Sequence, residues 1–550
     1  MDIGRAPDLG EPTKKLNTIE QDNQDALALV SMGYEPSLVR RFNIWSMLAL
    51  AFSVLGTWST FAQDLSSGLE NGGPITILWG LCLVTACNLC IALSLGELLS
   101  AMPTALGQAY WIDRLTNTAW GRFTSYMCAW INTFGWWALT ASQIAFMTNF
   151  LLGIKVMFDN DWEQASSGWV QFLVYIAITS AMTAFNCVIC RKDKALPWFN
   201  NFIGIQFTTL FVVFSLALVI SVAVRDNLHF QSGTFVFGKW INQTSWPDGV
   251  VWFTGLIQAA YGLTAFDSVI HMIEEISAPR TNGPKVIWLA VAIGAATGGI
   301  FMVFCLFCIQ RLDSILDSPI GLPFAQLIID TVGLQGAGAL ITLFCFNGLG
   351  QGVSIMTTAS RLSWGFARDG GFTWSEYFSK VDAVWKVPIR VLLGQGVIIG
   401  LIGILYLFST TVLEAILSVS TIALTISYAM PIITLLVVGR DKLPPGPFVL
   451  GRWGPLLNYV SVIYCCITTV FFFFPGSPNP SAADMNYAIV VFGIMLVIAV
   501  ASWFVKGKKD YLKTDEAVLE LFRAMQLENN EPTHIEGIVA NRSSKDFAAN

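Results

Sequence analysis

Leu55-Gly-Thr-Trp-Ser-Thr60 interrupts an apolar run that begins near Phe42, and Ala260-Tyr-Gly-Leu-Thr-Ala265 interrupts another that begins near residue 250. Each run is long enough to cross a bilayer, because a hydrocarbon core of roughly 30 Å takes about 20 residues of helix. Each also carries, at mid-depth, a glycine beside hydroxyl residues. Glycine adopts dihedrals that end a helix, and Ser or Thr hydroxyls satisfy the backbone groups that unwinding frees where no water reaches. Taken singly, Gly56 and Gly262 also suit close packing between membrane helices. Two such weaknesses, five runs apart, point instead to discontinuous helices that face a central cavity.

Working outward, twelve apolar runs fill the chain, near 43–66, 74–101, 123–153, 168–190, 196–224, 250–277, 284–310, 333–359, 388–409, 411–438, 455–475 and 485–505. The composition agrees, at 54% apolar and only 12% charged, where a soluble domain has about a quarter of its residues charged. With the N-terminus cytoplasmic, 27 of the 31 Lys and Arg residues fall on the inner side of the implied membrane. Only Lys155, Arg225, Lys239 and Arg311 fall outside, among acids such as Asp159, Asp226 and Asp313. That asymmetry sets the orientation by the positive-inside rule, although the long tails count for less in it. The expected organisation is a cytoplasmic tail over 1–42, five helices over 43–224, five over 250–438, two more over 455–505 and a second cytoplasmic tail over 506–550. Five is odd, so the two sets of five run in opposite directions, as an inverted repeat requires.

Other chemistry is hard to place. The formal charge of −6 sits mostly in the tails and outer loops, and no basic patch asks for nucleic acid. No short apolar leader precedes the first run. Three Cys-x-x-Cys spacings, Cys87/Cys90, Cys187/Cys190 and Cys305/Cys308, lie in or at the end of apolar runs with no histidine cluster beside them, which reads as helix packing and not as metal ligation. His229, His271 and His534 are scattered. No catalytic motif suggests an enzyme, and no cofactor is expected. In the C-terminal tail, Asp515–Leu527 shows the apolar face of a short surface helix. Asn242-Gln-Thr244 is a glycosylation sequon in an expected outer loop.

Three stretches carry a family resemblance. Gly96-Glu-Leu-Leu-Ser-Ala-Met-Pro103 with Gly107-Gln-Ala-Tyr110, then Glu274-Glu-Ile-Ser-Ala-Pro-Arg280, then Ser360-Arg-Leu-Ser-Trp-Gly-Phe-Ala-Arg-Asp-Gly370 resemble, in order and spacing, motifs of the amino acid–polyamine–organocation transporters. The chain looks most like the fungal amino acid/choline permease branch. Arg41-Phe-Asn-Ile-Trp-Ser46, Asn71-Gly-Gly-Pro74, Ser94-Leu-Gly-Glu97 and Gly446-Pro-Phe-Val-Leu-Gly451 look closest to its choline permeases. The resemblance implies an all-α polytopic protein of twelve transmembrane helices, a LeuT-type 5+5 inverted repeat with helices 1 and 6 unwound, plus two extra helices, working by alternating access. The unwound segments would be Gly56, Thr57, Trp58 and Ser59 in the first helix and Gly262, Leu263, Thr264 and Ala265 in the sixth, with Tyr261 where relatives place a gating aromatic. Many relatives have a small, Gly-rich first break, whereas this chain puts the indole of Trp58 there.

A quaternary ammonium has no N–H to donate, so aromatic faces select it, at about 0.5–2 kcal/mol for each cation–π contact. Trp58, Tyr261 and Phe266 near the breaks, and Trp130, Phe134, Trp136 and Trp137 in the third run, supply such faces. Acids inside a membrane cost about 2.5–3.5 kcal/mol, so Asp267 and Glu97 need a purpose. Asp267 reads as a counter-charge to a cation, a proton-coupling carboxylate or a partner for a freed backbone group. Glu97 reads with Glu274, Glu275 and Arg368 as an inner gate. Asn132, Gln258, Asn347 and Gln351 either face the cavity or bridge helices. The expectation is a multi-pass plasma-membrane protein, both termini cytoplasmic, that imports choline or a related small amine with protons as coupling ion and membrane lipid around it. A permease for gamma-aminobutyrate or another amino acid is the alternative, and a non-transporting nutrient sensor the next.

Overall fold

Asn43 opens the first helix with a reciprocal cap: its side chain accepts from the Ser46 N–H, and the Ser46 hydroxyl accepts from the Asn43 N–H. From there the computed structural model is helical throughout, with no strand among the described residues. It describes residues 25–513 except 27–28, 160, 193, 383, 385–386, 408–411, 482–484 and 486. The expected helix at 515–527 and most of both tails lie outside these residues.

Among the described residues, eleven helices are long and apolar enough to cross a membrane: Ile44–Gln63 (α1), Gly73–Ala101 (α2), Ala119–Phe158 (α3), Gly168–Ile189 (α4), Ala195–Val224 (α5), Pro279–Cys308 (α7), Leu334–Arg368 (α8), Ile389–Leu407 (α9), Ala415–Val438 (α10), Gly451–Phe472 (α11) and Ala488–Asp510 (α12). The remaining expected run is cut into Asp248–Thr254, Leu256–Gly262 and Ser268–His271, together α6, each too short to qualify alone. α8 runs nine residues past its expected end at residue 359. Hydropathy drops at Arg361, but the helix continues because that guanidinium is paired within the protein (2.7 Å to Glu275).

Burial divides the helices into two layers. About two thirds to three quarters of α1, α3, α8 and α10 is buried, against about a third of α4, α5, α9, α11 and α12. The first group, with α6, makes the interior; the second turns Leu, Ile, Val and Phe side chains outward, as an apolar solvent requires. Residues 38–511 form this one unit.

Main-chain pairing fixes how α1 and α6 lie. The Phe42 N–H donates to the Glu275 carbonyl (2.9 Å) and the Ser277 N–H to the Phe42 carbonyl (3.1 Å), tying the start of α1 to the end of α6. At the other end the Gly72 N–H donates to the Ile241 carbonyl (2.7 Å) and the Gln243 N–H to the Glu70 carbonyl (3.1 Å), tying the segment after α1 to the one before α6. The two broken helices therefore run antiparallel, side by side.

Candidate functional site

The first break is one residue wide. Gly56 sits in the left-handed region (φ 54°, ψ 29°), and Thr57, Trp58 and Ser59 already open the next helical piece instead of forming an unwound run. Only glycine suits the position twice over, since the φ is unfavourable for an L residue and a Cβ would fall inside the Gln351 amide. Loose carbonyls are taken up locally: the Ser59 hydroxyl donates to Gly56 O (3.0 Å), the Thr60 hydroxyl to Leu55 O (3.2 Å) and Gln351 Nε2 to Val54 O (3.4 Å).

The second break is longer and one residue later than expected. Gly262 is the last helical residue, Leu263–Asp267 leave the helix, and Ala265 takes φ 68°. Two side chains hold it open. Asn88 on α2 donates to Leu263 O (3.1 Å), while the Tyr428 hydroxyl on α10 accepts from the Ala265 N–H (3.1 Å) and donates to Asp267 Oδ1 (2.7 Å). Neither residue stands out in the sequence as part of a site. Asn88 carried the same signal as the other polar residues at membrane depth; Tyr428 carried none.

Between the breaks lies a cavity of about 10 Å3, room for a single water at most. α1 gives it Leu55 and Thr60, α3 gives Leu139 and Gln143, α6 gives Tyr261, Thr264 and Ala265, and α8 gives Gln351 and Ile355. The Tyr261 hydroxyl is hydrogen-bonded to Ser142 (2.8 Å) and the Gln143 amide donates to Gly348 O (3.0 Å). Asn347, one turn from Gln351, is fully buried with neither amide atom hydrogen-bonded. Gln258 donates to Phe61 O (3.1 Å) and bridges α6 to α1.

Trp58 is not on this lining. Its indole is fully buried among Phe207, Phe211 and Phe214 of α5, Phe301 of α7 and Phe344 of α8, with ring centroids 5.0–6.4 Å away. Nothing accepts its N–H. Phe266 stacks obliquely on Tyr428 at 4.8 Å and is fully buried.

Asp267 is a junction. Its Oδ2 accepts from Gln108 Nε2 (3.1 Å) and Trp136 Nε1 (3.2 Å) and lies 3.0 Å from His271 Nε2, which in turn is 3.2 Å from the Asn132 amide nitrogen. Thus Trp136, singled out on α3, meets α6 through this carboxylate and Asn132 through His271, and neither lines the cavity. His271 was missed although Asp267 stands four residues before it, the i, i+4 spacing at which helical side chains meet.

Three buried ion pairs close the end that carries the basic loops. Glu274 holds Arg368 through both oxygens (2.9 and 3.0 Å) and accepts from the Ala105 N–H (3.0 Å); Glu275 holds Arg361 (2.7 Å). Glu97 joins neither. It pairs with Arg440 (2.6 Å), 343 residues away in sequence, and accepts from the Leu450 N–H (2.9 Å). Removing one partner of such a pair costs about 3–5 kcal/mol. At the other end, Asn242 is half-buried with its amide donating to Trp246 O (2.8 Å) and Asp248 (2.9 Å). The second of these, and one from Trp240, hold the exposed Asp248 carboxyl below its ordinary range.

A multi-pass helical bundle with two discontinuous helices packed side by side around a central void is a membrane-transporter architecture. The comparisons agree. A family model described as amino acid permease matches residues 42–497. The chain is 30% identical to a protein named "Choline transporter" of Saccharomyces cerevisiae over 90% of this chain and 86% of that one. It is 27% identical to the "GABA-specific permease" of the same yeast (89% and 85%) and 26% identical to "Amino-acid permease BAT1" of Arabidopsis thaliana (87% and 94%). The chain belongs to the amino acid permease family.

Proposed function

We propose that the chain is a secondary active transporter that imports choline or a related small quaternary or primary amine across the plasma membrane by alternating access, driven by protons. The observation that carries this reading is the pair of antiparallel breaks, at Gly56 and at Leu263–Asp267, facing one void between α1, α3, α6 and α8. It supports the expected 5+5 inverted repeat, with α1–α5 answered by α6–α10 and α11 and α12 outside it. The basic end is cytoplasmic on this reading, so both termini are too. The void is too small for any amine and three ion pairs shut the inner end, which is the shape of a closed carrier between its two open forms.

The lining suits a small amine. Tyr261 offers a ring face, Leu139 and Ile355 offer apolar contact, and no Lys or Arg stands among the lining residues to repel a cation. Trp58 joins the site only if its phenylalanine cluster opens, and Asn347 then supplies an amide on the same face of α8 as Gln351. Glu274, Glu275 and Arg368 form the inner gate, and Glu97 steadies it from α2 through Arg440. Asn242 is the glycan acceptor on the outer side; the glycan leaves its amide nitrogen one hydrogen, enough for only one of the bonds to Trp246 and Asp248.

A carrier for gamma-aminobutyrate or another amino acid is the second reading, favoured by the 27% identity to the yeast protein of that name; the amides at the start of the second half of α1 would then face a carboxylate. Uptake of labelled choline into vesicles containing the purified protein separates the two. Competition by excess choline but not by excess amino acids supports the amine, and the reverse pattern overturns it. Ligand binding without any flux would make the chain a sensor.

A further inference from the structure

We propose that Asp267 and His271 together hold one exchangeable proton and form the site at which the driving ion binds; this rests on the reading of the chain as a proton-driven carrier. Both side chains are wholly buried, Asp267 just before the last piece of α6 and His271 at its end, four residues on. His271 Nδ1 lies 2.9 Å from the Ala105 carbonyl oxygen. That oxygen only accepts, so Nδ1 carries a hydrogen. His271 Nε2 lies 3.0 Å from Asp267 Oδ2. The carboxyl already receives N–H groups from Gln108 and Trp136 on that same oxygen and the Tyr428 hydroxyl on the other.

A neutral imidazole with its one hydrogen on Nδ1 would set the Nε2 lone pair against a carboxylate oxygen. The contact is attractive only with a further proton between the two. With that proton the pair is imidazolium and carboxylate, net charge zero; without it a single negative charge is left at membrane depth, which is costly. The Asn132 amide nitrogen lies 3.2 Å from the same Nε2; protonation of Nε2 requires that amide to turn over and offer its oxygen, which has no other partner.

The surrounding elements offer few competing charges. Tyr428 on α10 and Cys128 on α3 are the ionisable neighbours of Asp267, and the first half of α1 has none. α8 contributes Arg361 and Arg368, both already paired. α7 contributes Arg280, bonded to the Ser100 and Pro445 carbonyls, and the exposed Lys285. Tyr110, Asp113 and Arg114 lie further along the helix that carries Gln108.

The position also connects the proton to the inner gate. His271 donates to the carbonyl of Ala105, and the N–H of the same residue donates to Glu274, which holds Arg368. One proton enters from the outer side onto His271 Nε2, bringing the pair from net charge −1 to zero, and leaves to water at the basic end when the Glu274–Arg368 pair parts. No other reactant is needed.

The test uses the full chain in vesicles with labelled choline and labelled gamma-aminobutyrate as probes. His271→Gln is expected to lose accumulation driven by an outside-acid pH gradient by about tenfold or more while keeping gradient-free counterflow within about threefold of wild type. Gradient-driven accumulation equal to wild type, with the same pH profile, overturns the proposal. Because the variant can fail to fold, 15N-histidine NMR of the wild type gives a second answer. Both ring nitrogens of His271 protonated near neutral pH support the pair, and a singly protonated ring throughout the transport range overturns it. A wild type that moves neither probe in either assay sinks the carrier reading, while the NMR result still decides whether the pair holds a proton.

Discussion

Gly56→Ala is the sharpest probe of the first break. An L residue held at the φ of 54° seen there costs about 1–2 kcal/mol. The added Cβ also drives the Gln351 amide from its place, taking away its 3.4 Å contacts with Val54 O and the Ser59 hydroxyl. Losing that hydrogen bonding adds roughly 0.5–1.5 kcal/mol, for a sum of about 1.5–3.5 kcal/mol. At about 2–4 °C per kcal/mol for larger domains, the purified protein should melt roughly 3–14 °C below wild type. Gln351→Ser alone should lose the hydrogen-bond share, and adding Gly56→Ala to it should then cost only the φ share. Gly249→Ala is the control: that glycine is helical with nothing within 4 Å of a Cβ, so it should hold or gain stability. If Gly56→Ala melts with wild type, or costs as much on the Gln351→Ser background as alone, the break is not held as described.

Tyr428→Phe removes one hydroxyl that serves both the Ala265 N–H and Asp267; leaving those groups unsatisfied should cost about 1–3 kcal/mol in a melting assay, and no loss would mean that the second break has other support. Glu274→Gln should destabilise the closed form by about 3–5 kcal/mol and raise labelling of a cysteine placed at Ala105, whereas unchanged labelling would remove that pair from the gate. Trp58→Ala should cost about 3–5 kcal/mol as a buried indole, so Trp58→Phe is the better functional test. A fall in choline uptake with normal surface expression places the indole in the transport cycle, and unchanged uptake in both Trp58→Phe and Tyr261→Ala removes the aromatic cage.

Hydropathy made most of the fold legible before any coordinates, because length and apolarity alone decide which segments a bilayer accepts. The glycines marked both breaks for the same reason, since Gly56 and Gly262 are where helical geometry costs least to abandon. Their extent was not legible. Thr57–Ser59 return to helix because Ser59 and Thr60 hydroxyls satisfy the carbonyls nearby, whereas Leu263–Asp267 stay open because Asn88 and Tyr428 reach in from α2 and α10. Contacts of that kind join residues more than 150 positions apart and leave no local pattern. The same holds for Arg440 as the partner of Glu97, but not for His271, whose partner Asp267 stands only four residues before it. Trp58 shows the limit from the other side: an indole beside a break was read as facing the cavity, but the helix resumes at Thr57 and turns it toward α5.

Flux through the purified protein tests the whole reading most directly. In vesicles holding only this chain, labelled choline should accumulate under an outside-acid gradient, collapse when the gradient is dissipated, and be displaced by excess unlabelled choline. Choline that binds but never crosses, or a chain that carries neither choline nor any amino acid under any gradient, would contradict it.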